Sequence, residues 1–203
     1  MKDNFPLLET LERLFAGPGE SLLTVKAFLD GLGDRSYFFI IAALNIPNCI
    51  PTGIPMVSSV TGIPMVLLAI QHFLGRPSPS LPEFVGKRGL PRGGLQQMLV
   101  RARPHIERLE RAVHARNEWW VQGTMRKVTE IAWFLVIVVL ALPIPFDNLF
   151  AAWAILFFCL ALIEDDGIMA MLGWVMTAVT SVWTVFLLII GPYVVMTVLR
   201  SLI

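Results

Sequence analysis

An apolar segment interrupted by prolines occurs twice in this chain, and it limits the folds open to the rest. The first copy runs from Tyr37 to Arg76 and the second from Ile131 to Asp166. In each, an apolar run meets a break carrying Pro and Asn, and a second apolar run follows. Gln71, His72 and Arg76 close the first copy; Glu164, Asp165 and Asp166 close the second. Pro47, Pro51 and Pro55 remove amide donors at intervals of four, so no regular helix passes through unperturbed. The run from Tyr37 to Ile46 is shorter than the roughly 20 residues needed to cross a bilayer. Irregular backbone at membrane depth persists only inside protein or along a water-filled cavity. Paired, broken hydrophobic segments in corresponding positions of two halves point to transporter-like repeats.

The solvent follows from composition. The chain is 56% hydrophobic and 15% charged, with a mean hydropathy of +0.69. That leaves too little polar surface to cover a water-soluble globule, and implies a multi-pass membrane protein. Net charge is +1, but its distribution is uneven: eleven Lys/Arg stand against four acids between Arg76 and Lys127. Basic loops stay on the cytoplasmic side, which assigns this central segment there. Cys49 and Cys159 both lie in apolar runs, without CxxC or Cys/His spacing, so neither a metal site nor a disulfide framework is expected. Residues 1–20 lack the pattern of a cleavable signal peptide.

Along the chain, residues 5–16 read as an amphipathic helix, and Ser21 to Leu29 as a second, shorter one. Asp34 is positioned to cap a helix from near Ser36. Met56 to Leu74 is helical again, with Gly62 and Pro64 as kink points. Residues 75–94 form a Pro/Gly/basic loop, and Leu95 to Trp120 a basic amphipathic helix that Pro104 restarts. Short helices are expected over Glu130–Leu142 and Leu149–Ile163. A single long span runs from Ile168 to Ile190, kinked or ended by Gly191-Pro192. Residues 106–113 align with 8–15 at an offset of 98, Pro143 with Pro47 at 96, and residues 154–156 with 64–66 at 90. Nearly constant offsets are the signature of duplication.

The expected fold is therefore all-α and multi-pass, a single membrane domain over residues 1–203. It has two internally homologous units, inverted in the arrangement transporters commonly use. Each unit is an amphipathic helix plus a Pro-broken hairpin, re-entrant or spanning. The first occupies about residues 5–76, and a basic loop with the start of the second occupies 77–126. The second hairpin occupies 127–166 and the C-terminal span 167–203.

The sequence resembles the ExoD family of bacterial membrane proteins. The resemblance rests on the break from Leu44 to Met56, on Gly75-Arg76-Pro77 with Leu81-Pro82, on Leu142 to Leu149, and on Glu164-Asp165-Asp166-Gly167. It covers roughly residues 20–200, and it implies a link to exopolysaccharide synthesis and to tolerance of alkaline conditions. It implies no catalytic residue set.

Two groups of side chains have the chemistry of a site. Asn45, Asn48, Thr52, Asp147 and Asn148 cluster at the two breaks, where half-helix ends offer amides to anions and carbonyls to cations. They are the candidates for binding a substrate or ion, with Asp147, the one acid in either break, as the coupling residue. Glu164, Asp165, Asp166 and His72 close the apolar runs and are candidates for holding a proton or cation. Each group also has a structural reading, in turns and caps. Glu130, at the start of an apolar run, reads as a charge suited to a helix N-terminus.

No nucleophile constellation, nucleotide loop or His-Glu-x-x-His motif is present, so the protein is expected to be neither an enzyme nor cofactor-dependent. The leading function is movement of a small solute, ion or proton between the breaks. The alternatives are a non-catalytic membrane partner of polysaccharide assembly and a flippase for a lipid-linked carrier. The partners expected are the lipid bilayer and a small solute or ion, with small-residue faces compatible with a homodimer. Nucleic acid is not expected.

Overall fold

The computed structural model describes residues 7–50, 57–142 and 148–202. Thr52 and Asp147 lie outside them, as does the side chain of Asn148. The described residues are predominantly helical: α1 (Leu7–Phe15), α2 (Val25–Leu32), α3 (Arg35–Asn45), α4 (Val57–Phe73), α5 (Glu83–Gly86), α6 (Arg92–Ala112), α7 (Gly123–Ala141), α8 (Asn148–Glu164) and α9 (Gly167–Leu202). Single 310 turns cover Ile46–Cys49 and Glu118–Trp120.

Four of the helices form a bundle. α3 packs on α8, α4 on α7, and each also packs on its neighbour in the chain. The core they enclose is aromatic and aliphatic, with Tyr37, Phe38, Trp133, Ile155 and Phe158 among its buried members. One end of the bundle gathers the C-terminal end of α3, the N-terminal half of α4, the end of α7 and the start of α8. Asn45 there reaches Ala152, and Gly62 lies against Ala141. We call this the tip end. The opposite end gathers the start of α3, the end of α4, the start of α7 and the end of α8. An inverted pair of hairpins would have put its two breaks at opposite ends. Here α3 and α7 run one way and α4 and α8 the other, so both breaks fall at the same end.

Both hairpins leave the bundle through the same backbone device. At the end of α4, Gly75 takes φ 72°, its N–H donates to the His72 carbonyl, and the Arg76 N–H donates to the Gln71 carbonyl. At the end of α8, Asp165 takes φ 51° and the Asp166 N–H donates to the Ala161 carbonyl. Both are Schellman-type stops, in which a left-handed residue lets the next amides satisfy the helix's last carbonyls. Glycine adopts that φ without strain, and Asp is among the few other residues that do so.

α9 is 36 residues long, about 54 Å at the helical rise. Its segment Gly167–Ile189 is, among the described residues, the one helix long and apolar enough to cross a membrane. The helix continues through Gly191-Pro192 to Leu202 rather than stopping there.

A smaller layer sits beside the end of the bundle opposite the tips. α1 packs on α6 around Leu11, Phe15 and Leu23. Arg92 donates to the carbonyls of Leu14 and Ala16, and Gln96 to those of Phe15 and Gly17. Two α6 side chains thus satisfy the last carbonyls of α1, a role cations fill well at a helix C-terminus. The stretch expected to be helical from Ser21 instead begins as β1 (Leu22–Thr24), which pairs antiparallel with β2 (Gly89–Pro91). Thr24 then caps α2, accepting from the Ala27 N–H at 3.2 Å. α6 passes through Pro104 without a break, and α7 begins seven residues before the expected start. Asp34 precedes α3, but its side chain makes no capping hydrogen bond.

The outside of the bundle is as apolar as the inside. Val60, Ile63, Leu67 and Ile70 line the outward face of α4, and Ile131 and Leu135 that of α7. Along α9, Val175, Val182, Val185 and Leu188 are more than half exposed. Isolated exposed apolar residues are ordinary, but a continuous belt of this size is the mark of a surface that meets lipid or another chain.

Candidate functional site

The tip end holds neutral polar groups. α3 gives way to the 310 turn because Pro47 lacks an amide for the helical ladder. The change places Asn45 inward, with its side chain fully buried. Its Nδ2 donates to the Ala152 carbonyl on α8 at 2.7 Å and lies 3.7 Å from Cys49 Sγ. Its Oδ1 is buried without a hydrogen-bond partner among the described residues. Asn48, also buried, donates to Thr61 Oγ1 on α4 at 2.8 Å. Ser58 is buried one turn before Thr61. A buried amide oxygen left unpaired costs roughly 1–3 kcal/mol of lost hydration, so it is an acceptor ready for a donor. Of the five residues the sequence groups at the breaks, the structure thus places Asn45 and Asn48 inward. Thr61 and Ser58 join them, because residues 58, 61, 62 and 65 share the inner face of α4. Asn148 is the first residue of α8.

The other end holds ionisable groups. His72, on the last turn of α4, points its Nε2 at Glu130 Oε2 on α7, 3.7 Å away. Arg126, one turn earlier on α7, donates to Glu130 at 3.0 Å and to Asp165 at 2.8 Å. The side chains of His72 and Glu130 are 15% and 14% exposed, low for ionisable groups. Phe38, Tyr37 and Trp133 present edges and faces to the His72 ring at 5.0, 5.4 and 6.0 Å between centroids. One network therefore links the first hairpin, the second hairpin and the corner before α9. Glu130 was readable only as a helix-start charge, because its partner lies 58 positions away in sequence.

The acidic trio divides into three roles. Glu164 is the last residue of α8 and half-buried. Asp165 occupies the left-handed stop and pairs with Arg126. Asp166 is fully buried, and its carboxylate is committed to structure. Oδ1 accepts the amides of Ile168 and Met169 in the first turn of α9, while Oδ2 accepts the His114 amide and Arg116 Nε. That is an N-cap combined with an ion pair, and it ties the segment after α6 to the start of α9. Gly167 must be glycine there, since a Cβ would stand 1.9 Å from the Asn117 carbonyl oxygen. Among the described residues, no three His, Cys, Asp or Glu side chains group as metal ligands.

A helical bundle with apolar flanks, polar groups at both ends and a long apolar C-terminal helix defines a membrane-associated α-helical protein. Residues 7–186 match the family described as exopolysaccharide synthesis, ExoD, and the chain belongs to that family. It is 27% identical over 181 residues to Protein ExoD of Rhizobium meliloti, covering 87% of this chain and 75% of that one. It is 25% identical over 167 residues to an uncharacterized protein of Synechocystis, covering 82% and 77%. No solved structure matches the chain.

Proposed function

We propose that the protein is a multi-pass membrane protein that moves a small solute, ion or proton between its two broken hairpins, in support of exopolysaccharide production. The observation that carries this reading is the pairing of an apolar exterior with a polar tip. Lipid-compatible side chains line the outside of α4 and α7, while Asn45, Asn48 and Thr61 are turned inward at the break. Polar side chains inside a membrane bundle are costly and mark substrate or ion paths. The common direction of the hairpins and their matching Schellman stops support a duplication. Asp165 stands 90 positions after Gly75, the same offset as that between residues 154–156 and 64–66. Parallel repeats about an axis along the membrane normal are known in transporters. The family's association with alkaline tolerance fits movement of protons or cations, and the basic layer of α1 and α6 belongs on the cytoplasmic side by its charge.

The test is flux. Purified protein in proteoliposomes is given an imposed gradient of protons, sodium or potassium, and transport is read with an ion-sensitive dye. Wild-type protein accelerates decay of at least one gradient. Asn45→Leu and Asn48→Leu abolish the acceleration while eluting as folded protein. Equal decay in loaded and empty liposomes for every ion and for small neutral sugars would overturn the reading.

A second reading is favoured by one observation, the exposed Arg101 and Arg108 on α6. In it the protein is a non-catalytic partner of polysaccharide assembly that docks through this basic face. A stable complex co-purifying with the chain, lost in the double variant Arg101→Glu/Arg108→Glu, combined with no flux, would favour it.

A further inference from the structure

We propose that one side of α6 binds the headgroups of anionic phospholipids, with Arg101 and Arg108 as the phosphate contacts and Val100 entering the interface beside them. This goes beyond the transport reading and takes from it only that the chain sits in a membrane.

Positions 97, 100, 101, 104 and 108 recur at intervals of three and four, so they share one side of the helix. The side packed on α1 is a different one, formed by Leu95, Leu99, Ile106 and Arg103. Gln97, Val100, Arg101, Pro104 and Arg108 are all exposed, and none is acidic. Glu107, the acid next to Arg108, is held by Arg103 at 3.0 Å. Among the described residues, neither Arg101 nor Arg108 is engaged in an ion pair or a hydrogen bond. The two stand about 10 Å apart along the helix axis. Open guanidiniums with no carboxylate between them attract anions, and their planar fork fits phosphate with two parallel bonds. Val100 is 72% exposed and borders a cleft of about 170 Å³ that Phe15 and Leu99 also line. Apolar surface beside cations is the pattern of a helix that lies in the headgroup region.

Two attachments set the height of this face. Beyond the end of α6, the His114 amide and Arg116 bind Asp166, and the Gly167 N–H donates to the Arg116 carbonyl at 2.8 Å. Gly167 opens the segment of α9 that is long and apolar enough to cross a membrane. Trp119, on the same connection, is 63% exposed, and tryptophan suits the level of the headgroups. Nearer the start of α6, Phe15 of α1 stacks on Phe28 of α2 at 5.7 Å, and Phe28 meets Phe39 of α3 at 5.9 Å. The layer is thus fixed to the bundle at the height where the apolar helices meet water. The cytoplasmic leaflet carries a negative surface potential, so a basic face held there is complementary to it. Its height and its exposed valine favour lipid over a protein partner for the same two arginines.

The test uses the full chain with Cys49 and Cys159 replaced by Ala and a spin label on Val100→Cys. It is placed in nanodiscs of phosphatidylcholine alone, or with a third of the lipid exchanged for phosphatidylglycerol. Collisions with a water-soluble nickel complex are expected to fall several-fold in the anionic discs. They should recover at about 1 M salt, where charges are screened within about 3 Å. Arg101→Gln/Arg108→Gln abolishes the fall. Lys26→Gln/Arg88→Gln, which removes two exposed cations elsewhere in the layer, retains it. Equal accessibility in the two kinds of disc overturns the lipid face, as does a fall that survives loss of both arginines. A fall lost equally in both double variants also overturns it, by assigning the effect to diffuse charge. Inorganic phosphate added to the neutral discs at constant ionic strength should leave the label unchanged; protection by phosphate alone overturns the lipid face in favour of a free anion. A label at Ile63 reads the membrane placement separately: nickel access there overturns that placement, while protection at Val100 by anionic lipid keeps the lipid face.

Discussion

At the tip end of the bundle the inward polar groups are neutral amides and hydroxyls, Asn45, Asn48 and Thr61. At the other end they are ionisable: the half-buried His72, Glu130, Arg126, Asp165 and Arg116, and the buried Asp166. The contrast follows the cost of burial. A neutral amide deep in apolar surroundings needs one or two hydrogen bonds, whereas an ion needs a counter-ion and further donors. The end joined to the polar layer can supply those partners from α7, from the loop after α6 and from the start of α9. The tip, bounded by short helices, supplies backbone carbonyls such as that of Ala152. One end is thus built to hold charge in pairs and the other to hold an uncharged polar surface with a spare acceptor.

Substitutions ordered by size test that division. Asp166→Asn breaks the buried pair with Arg116 and weakens the cap of α9. It is expected to cost about 3 kcal/mol, read as a large loss of thermal stability in detergent. A loss below about 1 kcal/mol would mean that the ion pair at this corner is not structural. Gly62→Ala puts a Cβ 2.7 Å from the Ala141 backbone at the tip-end crossing of α4 and α7, and should cost about 2 kcal/mol. Asn45→Leu keeps the branching and the heavy-atom count and loses the bond to Ala152. It should cost about 1 kcal/mol, with flux abolished. At the small end of the scale, Glu83→Gln removes an exposed pair with Lys87 and should change stability by less than about 0.5 kcal/mol. If Glu83→Gln were as damaging as Asp166→Asn, the peripheral layer, rather than the ion-paired corner, would govern stability.

The sequence makes the hairpins legible and much of the charged end illegible, for physical reasons. Proline and asparagine between apolar runs mark the break directly, so α3, α4 and α8 fall close to their expected limits. The direction of the second hairpin relative to the first is not written in either one. It depends on the path of residues 77–122, whose long helix α6 brings the chain back to the same end. β1 and β2 are three residues each, too short for alternation to declare them. The early start of α7 is hidden because Arg126 looks like a loop charge until Glu130 and Asp165 are placed beside it. The acidic trio reads as one cluster in sequence. The left-handed turn at Asp165 sends its three side chains to different duties. His72 was recognisable as a titratable group; Glu130 as its partner was not, since pairing across two hairpins leaves no local pattern.

The central claim is that the apolar exterior faces lipid while the polar tip is enclosed within it. Spin labels in lipid nanodiscs test this directly, on a background in which Cys49 and Cys159 are replaced by Ala. Labels are placed singly at Ile63 and Leu67 on α4, at Leu135 on α7, and at the exposed Arg101 as a control. The account predicts high collision rates with oxygen and low rates with a water-soluble nickel complex at the first three, and the reverse at Arg101. Nickel accessibility at Ile63, Leu67 and Leu135 equal to that at Arg101 would contradict it.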